Sequence, residues 1–329
     1  MMKQNTVLRY EDAVWNISGL FTHDKALLFL FDLMTECAAP VSMSVHGNIP
    51  CCWNSGRIIR SVSESYQKEC LEAYARRNIP VFLTFSNYMI TEEQLDDTLS
   101  NRILKLVASY PNCGVIVGSP LVADYIRSKY PGLILSTSIL RVVHDHGRGK
   151  LDYYTELAKK YDRVVLHPDD GLDPGVVEQI HPKEKIEILI NENCLRNCRS
   201  REEHCDLVCQ YYQSRRSSTC LEELEKFKSE KCQSVQNVKA LRLFLNGDIR
   251  TCNFDISELS AVYELGVRYF KIQGRSLSTA SLLYDITRYI MQEDWVPIIY
   301  KMMMDRIGSF AYAQDEHVLD ANYMNWERI

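Results

Sequence analysis

"IPVFLTFSNYMITEEQLDDTLSNRILKLVASYPNCGVIVGSP", residues 79–120, decides the fold. Both ends, 79–87 and 113–120, are short runs that are apolar nearly throughout. Runs of this kind suit strands buried on both faces. The stretch between them carries apolar residues at helical spacing over about 99–110. Strand, helix, strand is one parallel unit.

The same rhythm runs outward in both directions. Further strands are expected at 40–47, 132–138, 162–169, 185–193, 240–246 and 267–275. Helices are expected at about 22–37, 61–77, 119–130, 151–161, 173–180, 255–265 and 276–292, with Ser61, Asp152 and Ser257 as cap-like residues. Eight strands alternating with helices predict a TIM-type (β/α) barrel; a doubly wound open sheet is the alternative. One barrel domain then takes up residues 1–329. Residues 194–239 break the rhythm, being polar and rich in cysteine and charge. They are too long for a simple connection. They read as a cysteine-rich insertion after a late strand, on the C-terminal face where barrel active sites lie.

Net charge is −5, which gives no global nucleic-acid footprint but leaves room for a local basic patch. The N-terminal residues lack the apolar core of a signal peptide. "KALLFLFDLM" (25–34) is too short to span a bilayer and reads as a buried helix. These features point to a cytoplasmic protein with no membrane span. A reducing compartment argues against a disulfide framework for the twelve cysteines and favours metal or catalytic use.

Four of them stand in "NENCLRNCRSREEHCDLVCQ" (191–210), as Cys194, Cys198, Cys205 and Cys209. On one continuous helix they would form a narrow stripe, at about 100° per residue, but would be spread over about 22 Å. They converge on a single centre only if the chain folds back between Cys198 and Cys205. Zinc accepts CxxxC pairs; an iron–sulfur cluster takes four thiolates at irregular spacing. Packing as buried small residues is the third reading. Cys51, Cys52, Cys220, Cys232 and Cys252 are further donors. The radical-initiating spacing CxxxCxxC is absent, because Arg201 stands at its third position.

"SVHGNIPCCWNSGR" (44–57), "LTFSN" (83–87), "INENCLRNC" (190–198) and "YFKIQGR" (269–275) resemble peptidase family U32. That family joins the collagenase-like peptidases to the oxygen-independent hydroxylation proteins of ubiquinone biosynthesis and of tRNA and ribosomal RNA. The resemblance implies a barrel holding a four-iron four-sulfur cluster; zinc stays the alternative metal on the CxxxC spacing alone. It implies ligands among Cys194, Cys198, Cys252 and Cys51, and Cys205 and Cys209, from their place in the local run, compete with Cys51 and Cys252 for the remaining positions. It implies redox hydroxylation of an aromatic or nucleobase-like substrate; the alternatives are a collagenase-like peptidase or a non-catalytic subunit paired with a homologous chain. Gln273 replaces the family's "KIEGR" glutamate and His46 the aspartate of its "DGxIP".

Lys271 and Arg275, at the end of the last strand, are a cationic pair suited to an anionic substrate, and Arg57 is a further anion contact. Trp53 suits either substrate stacking or the core. His144, Asp145 and His146 read mainly as a solvated turn, with metal binding as the sharper reading, and Arg141 and Arg148 suit an anion pocket. His167, Asp169 and Asp170 read mainly as a capped turn, with acid–base work by His167 beside it. His204 reads as a neighbour of the cysteine site or a surface residue. No nucleophile–base pair, phosphate loop or HExxH appears.

Overall fold

The computed structural model describes residues 6–55, 62–214, 217–232, 250–274 and 277–311. Ten strands run in chain order: β1 Val14–Ser18, β2 Met43–Gly47, β3 Val81–Phe85, β4 Gly114–Val117, β5 Ile134–Thr137, β6 Val164–Val165, β7 Ile186–Leu189, β8 Asn191–Leu195, β9 Thr251–Asn253 and β10 Tyr269–Ile272. Eight form one parallel sheet in the order β5-β4-β3-β2-β1-β10-β7-β6. Its two edges meet at a parallel bridge between Ser136 and Arg163. There Thr137 N donates to Arg163 O at 3.0 Å, and Arg163 N donates to Leu135 O at 3.1 Å. The sheet is thus a nearly closed TIM-type barrel.

Helices surround it between successive strands, at Asp24–Glu36, Glu64–Ala75, Thr98–Ala108, Pro120–Lys129, Leu151–Lys160, Pro174–Gln179, Ile256–Glu264 and Thr279–Ile290. Ser61 lies outside the described residues, and the second helix is capped by Ser63. Asp255, in a capping box with Glu258, caps Ile256–Glu264 in place of Ser257. Asp152 sits in the first turn of its helix, one residue inside.

Side chains alternate across each strand. Trp15, Ile17, Val45, Leu83, Phe85, Val115, Val117, Ile188, Phe270 and Ile272 are buried against the helices in the hydrophobic core. The other face lines the barrel, and it is unusually polar. Asn16, Ser18, Ser44, His46, Thr84, Ser136 and Glu187 are all buried there. Branched apolar residues fill most such barrels.

Two expectations change. The first barrel strand is Val14–Ser18, which the buried-run pattern does not find, while 240–246 lies outside the described residues. The predicted strand 185–193 is two strands. The barrel part ends where Ile190 N donates to Lys271 O at 3.0 Å. The chain then leaves the barrel as β8 and pairs antiparallel with β9. Between them run the helices Arg201–Gln213 and Ser218–Glu230. Among the described residues, no helix is long and apolar enough to cross a membrane.

A candidate thiol centre at the barrel mouth

The β8–β9 ribbon rises from the C-terminal end of β7 and sorts its side chains by alternation. Asn191 turns one way, its Nδ2 donating to Gln273 O at 2.7 Å and to Asp285 Oδ2 at 3.0 Å. Glu192 and Cys194 share the other face, and their charges act on Arg201, with that of Glu192 also acting on Cys252. After β8 the chain turns at Asn197, whose φ of 57° is the left-handed conformation that asparagine tolerates. Asn197 N donates to Asp169 Oδ1 at 2.8 Å. The turn brings Cys198 back to Cys194, and the two side chains hydrogen-bond.

The helix Arg201–Gln213 then begins. The turn thus lies at Asn197, before Cys198, and only Cys205 and Cys209 stand on the helix, so the four cysteines do not share one helix. Arg201, Cys205 and Cys209 recur four residues apart, so they follow one face of the helix. Arg201 is 7% exposed. Its Nη2 donates to Leu195 O at 2.9 Å and reaches Cys252 Sγ at 3.3 Å. Asp169 Oδ2 is 3.9 Å away and is also 3.4 Å from Arg148. The charge of Arg201 is felt at Cys194, Cys198, Cys205 and Cys252. Of these four thiols, Cys252 meets the guanidinium directly.

Burial pushes the Cys252 thiol up to about 12 and Cys205 well above its ordinary value. The hydrogen bond to Cys198, with burial, pushes Cys194 up; the same bond holds Cys198 down to about 6. Two buried polar atoms, Arg201 Nε and Asp169 Oδ2, have no hydrogen-bond partner. Among the described residues, no three His, Cys, Asp or Glu side chains already stand as a metal-holding group.

The other predicted residues take different places. Cys209 is buried and its Sγ donates to Ser55 Oγ at 3.2 Å, which ties the helix to the loop after β2. Burial pushes it up to about 11. Cys51 lies against Ser100, Cys52 and Asp97, on the side of the Thr98–Ala108 helix. Lys271 points into the barrel, its Nζ 3.4 Å from Glu187 Oε1. Glu187 also lies 3.8 Å from Arg163 Nη1 and accepts from Asn16 Nδ2 at 3.1 Å. Asn16 Oδ1 in turn meets His46 Nδ1 at 2.9 Å. Lys271 thus belongs to an internal ion-pair network. Arg57 and Arg275 lie outside the described residues.

Trp53 is fully buried and its Nε1 donates to Gln94 O at 2.7 Å, so it closes the core and does not stack on substrate. His144 stacks on Tyr88 with centroids 4.1 Å apart and lies 3.5 Å from Asp206. His146 lies 3.3 Å from Glu202. Both histidines dock the cysteine-bearing helix. Arg141 pairs with Asp145 at 3.0 Å and donates to Tyr161 OH at 2.9 Å, a structural use. Arg148 bonds Asn197 at the turn before Cys198. His167 caps the short helix Pro168–Gly171, its Nδ1 accepting from Asp169 N at 3.2 Å. His204 stacks on Phe227.

Glu187, Arg163, Asn16 and Glu192 were not singled out by sequence, and Arg201 was noted only as the residue standing in place of a third cysteine. Glu187 had a readable signal, a lone carboxylate inside the apolar run "KIEILI" (185–190). Asn16 and Glu192 had none.

No family model matches the chain, and no curated protein matches it. Among solved structures, a U32 peptidase, Mk0906, aligns over 80% of this chain and 92% of its own at 11% identity, with a TM-score of 0.48.

Proposed function

We propose that the protein is an iron–sulfur barrel enzyme that performs an oxygen-independent hydroxylation, or a related redox modification, of an aromatic or nucleobase-like small molecule. The observation that supports the cluster is Cys252 Sγ at 3.3 Å from the buried Arg201 guanidinium, with Cys194 on the strand paired to β9, Cys198 just after it and Cys205 one helical turn beyond Arg201. Four thiols are the donor set such a cluster takes. The unpartnered Arg201 Nε fits an anionic occupant, because a buried donor without a partner is costly. The substrate class rests on the sequence resemblance alone.

In this reading Cys194 and Cys198 hold the group from β8, Cys205 from the following helix and Cys252 from β9. When bound, the cluster supplies one-electron transfer. The chain's residues do the rest. Cys252 is buried, while Cys194, Cys198 and Cys205 are half-buried. Arg148 and Asp169 fix the turn at Asn197 that presents Cys198. Glu187, Lys271, Asn16 and His46 form a polar floor below the mouth, able to hold a proton within the barrel.

The test is purification without oxygen, followed by measurement of iron, acid-labile sulfide and visible charge-transfer absorption. The expected result is a brown protein with iron and sulfide in equal amounts. Colourless protein carrying stoichiometric zinc would refute it. Serine replacement of each of the four cysteines should deplete iron, while Cys51→Ser and Cys209→Ser should retain it.

A further inference from the structure

We infer that the asparagine-bearing side of the β8–β9 ribbon forms a second site, separate from the thiols, that binds a free α-amino acid with an aromatic side chain. Asn191 and Asn253 pair across the ribbon. Asn193 and Asn253, each next in sequence to a cysteine, line a cavity of about 390 Å³. Its opposite wall is the helix Thr279–Ile290, with Tyr300 from the following helix Val296–Met304. Pockets of this size hold small ligands. Tyr284 and Ser281 in the wall are exposed, so the cavity is reached from solvent.

Asp285 and Arg288 stand side by side in that wall, Oδ1 3.2 Å from Nε. Each is fixed by the ribbon. Asn191 Nδ2 donates to Asp285 Oδ2 at 3.0 Å. Arg288 Nη2 donates to Asn253 Oδ1 at 2.6 Å and to Tyr289 OH at 2.5 Å. A carboxylate accepts, and a guanidinium donates, more bonds than these. Among the described residues, Arg288 Nη1 and the Asn193 side chain make no hydrogen bond. One negative and one positive group leave the wall without net charge. That disfavours a simple anion or cation and suits a zwitterion, with its ammonium on Asp285 and its carboxylate on Arg288 Nη1 and Asn193.

The remaining lining selects the side chain. The Tyr284 and Tyr300 rings stand edge to face with centroids 5.9 Å apart, and Leu277 and Ala280 complete an apolar surface. A further aromatic ring fits there by the same edge-to-face preference. The site does not depend on iron, so metal-free protein should bind the amino acid as well as loaded protein does.

The experiment is isothermal titration calorimetry of the full chain with L-phenylalanine, with phenylpropionate, which lacks the ammonium, and with phenethylamine, which lacks the carboxylate. Asp285→Asn and Ala280→Phe are measured beside wild type, and circular dichroism melting checks the fold. Asp285→Asn keeps an acceptor for Asn191 and removes the charge. Ala280→Phe fills the cavity and leaves both charged groups in place. L-Phenylalanine should bind wild type. Both analogues on wild type, and L-phenylalanine on Asp285→Asn, should bind about tenfold or more weakly, because each loses a hydrogen bond between charged groups. A folded Ala280→Phe should not bind. If Ala280→Phe does not fold, the analogues on wild type decide alone. No binding of L-phenylalanine to wild type, or analogues that bind as tightly, overturns the inference. Undiminished binding by folded Ala280→Phe puts the amino acid elsewhere and overturns this site. Protein that lacks iron but binds L-phenylalanine in this pattern overturns the cluster and leaves the site standing.

Discussion

His167 follows β6 with its side chain buried, and its Nδ1 accepts the Asp169 N–H that opens the next helix. Burial, reinforced by the charge of Arg201, holds its pKa down to about 4. The unfolded chain takes up a proton near 6.5, so below that pH the unfolded state binds more protons than the folded one. Stability from a neutral His167 is therefore complete above 6.5, falls as pH drops, and is lost by about 4. The shift corresponds to about 3 kcal/mol. His167→Asn keeps a capping acceptor and removes the titration. Urea midpoints at pH 7 and pH 4.5 should fall less in His167→Asn than in wild type; parallel falls would refute the assignment. Cys198 offers a second residue-level test. In metal-free protein at pH 7, iodoacetamide should modify Cys198 before Cys194, and Cys194→Ala should slow that reaction several-fold. Equal labelling of both would contradict it. At this scale the sequence was informative about residue type and poor about role. Trp53 and Lys271 had the right chemistry for substrate contact, yet Gln94 and Glu187 claim them. A partner distant in sequence leaves no local mark.

The helix Arg201–Gln213 packs against the helices Ser218–Glu230 and Ile139–His144, and several of its anchors are polar. Tyr88 donates to Asp206, Cys209 to Ser55 Oγ at 3.2 Å, and Gln213 Nε2 to Met89 O at 2.7 Å. The helix buries Arg201, Cys209 and Tyr211. Tyr88→Phe removes the hydrogen bond to a carboxylate and should cost about 2 kcal/mol. Because the helix carries Cys205, the variant should also show faster amide exchange in residues 201–213 than elsewhere. A uniform change across the chain would sink this docking account. Periodicity revealed the barrel helices because each lays an apolar stripe on the sheet. It did not reveal β1, for a reason visible in "VWNIS" (14–18). Trp15 and Ile17 face the helices, while Asn16 and Ser18 face a polar interior. The strand therefore alternates, where the search was for unbroken apolar runs. A break in the cysteine run was legible from "RSREE" (199–203), but the turn at Asn197, where the chain meets Asp169 just before Cys198, was not.

At the scale of the whole molecule, the barrel interior is joined by charge more than by apolar packing. Glu187 on β7 is fully buried and meets Lys271 on β10, Arg163 before β6 and Asn16 on β1. Arg163 also lies over the Phe82 and Tyr269 rings at 4.8 and 4.3 Å, and its backbone bridges to β5 where the sheet closes. One carboxylate thus links both sides of the closing seam to the strands opposite. Glu187→Gln leaves two buried cations without their counter-charge and should cost about 3–5 kcal/mol in urea unfolding at pH 7. Lys271→Met alone should cost less, because Arg163 and Asn16 still contact the carboxylate. If the interior is a network, the double variant should be more stable than the sum of the single losses allows, by at least about 1 kcal/mol. Additivity within about 0.5 kcal/mol would mean the contacts act independently. In that case the polar interior would have to be kept for its chemistry at the mouth and not for closure of the barrel.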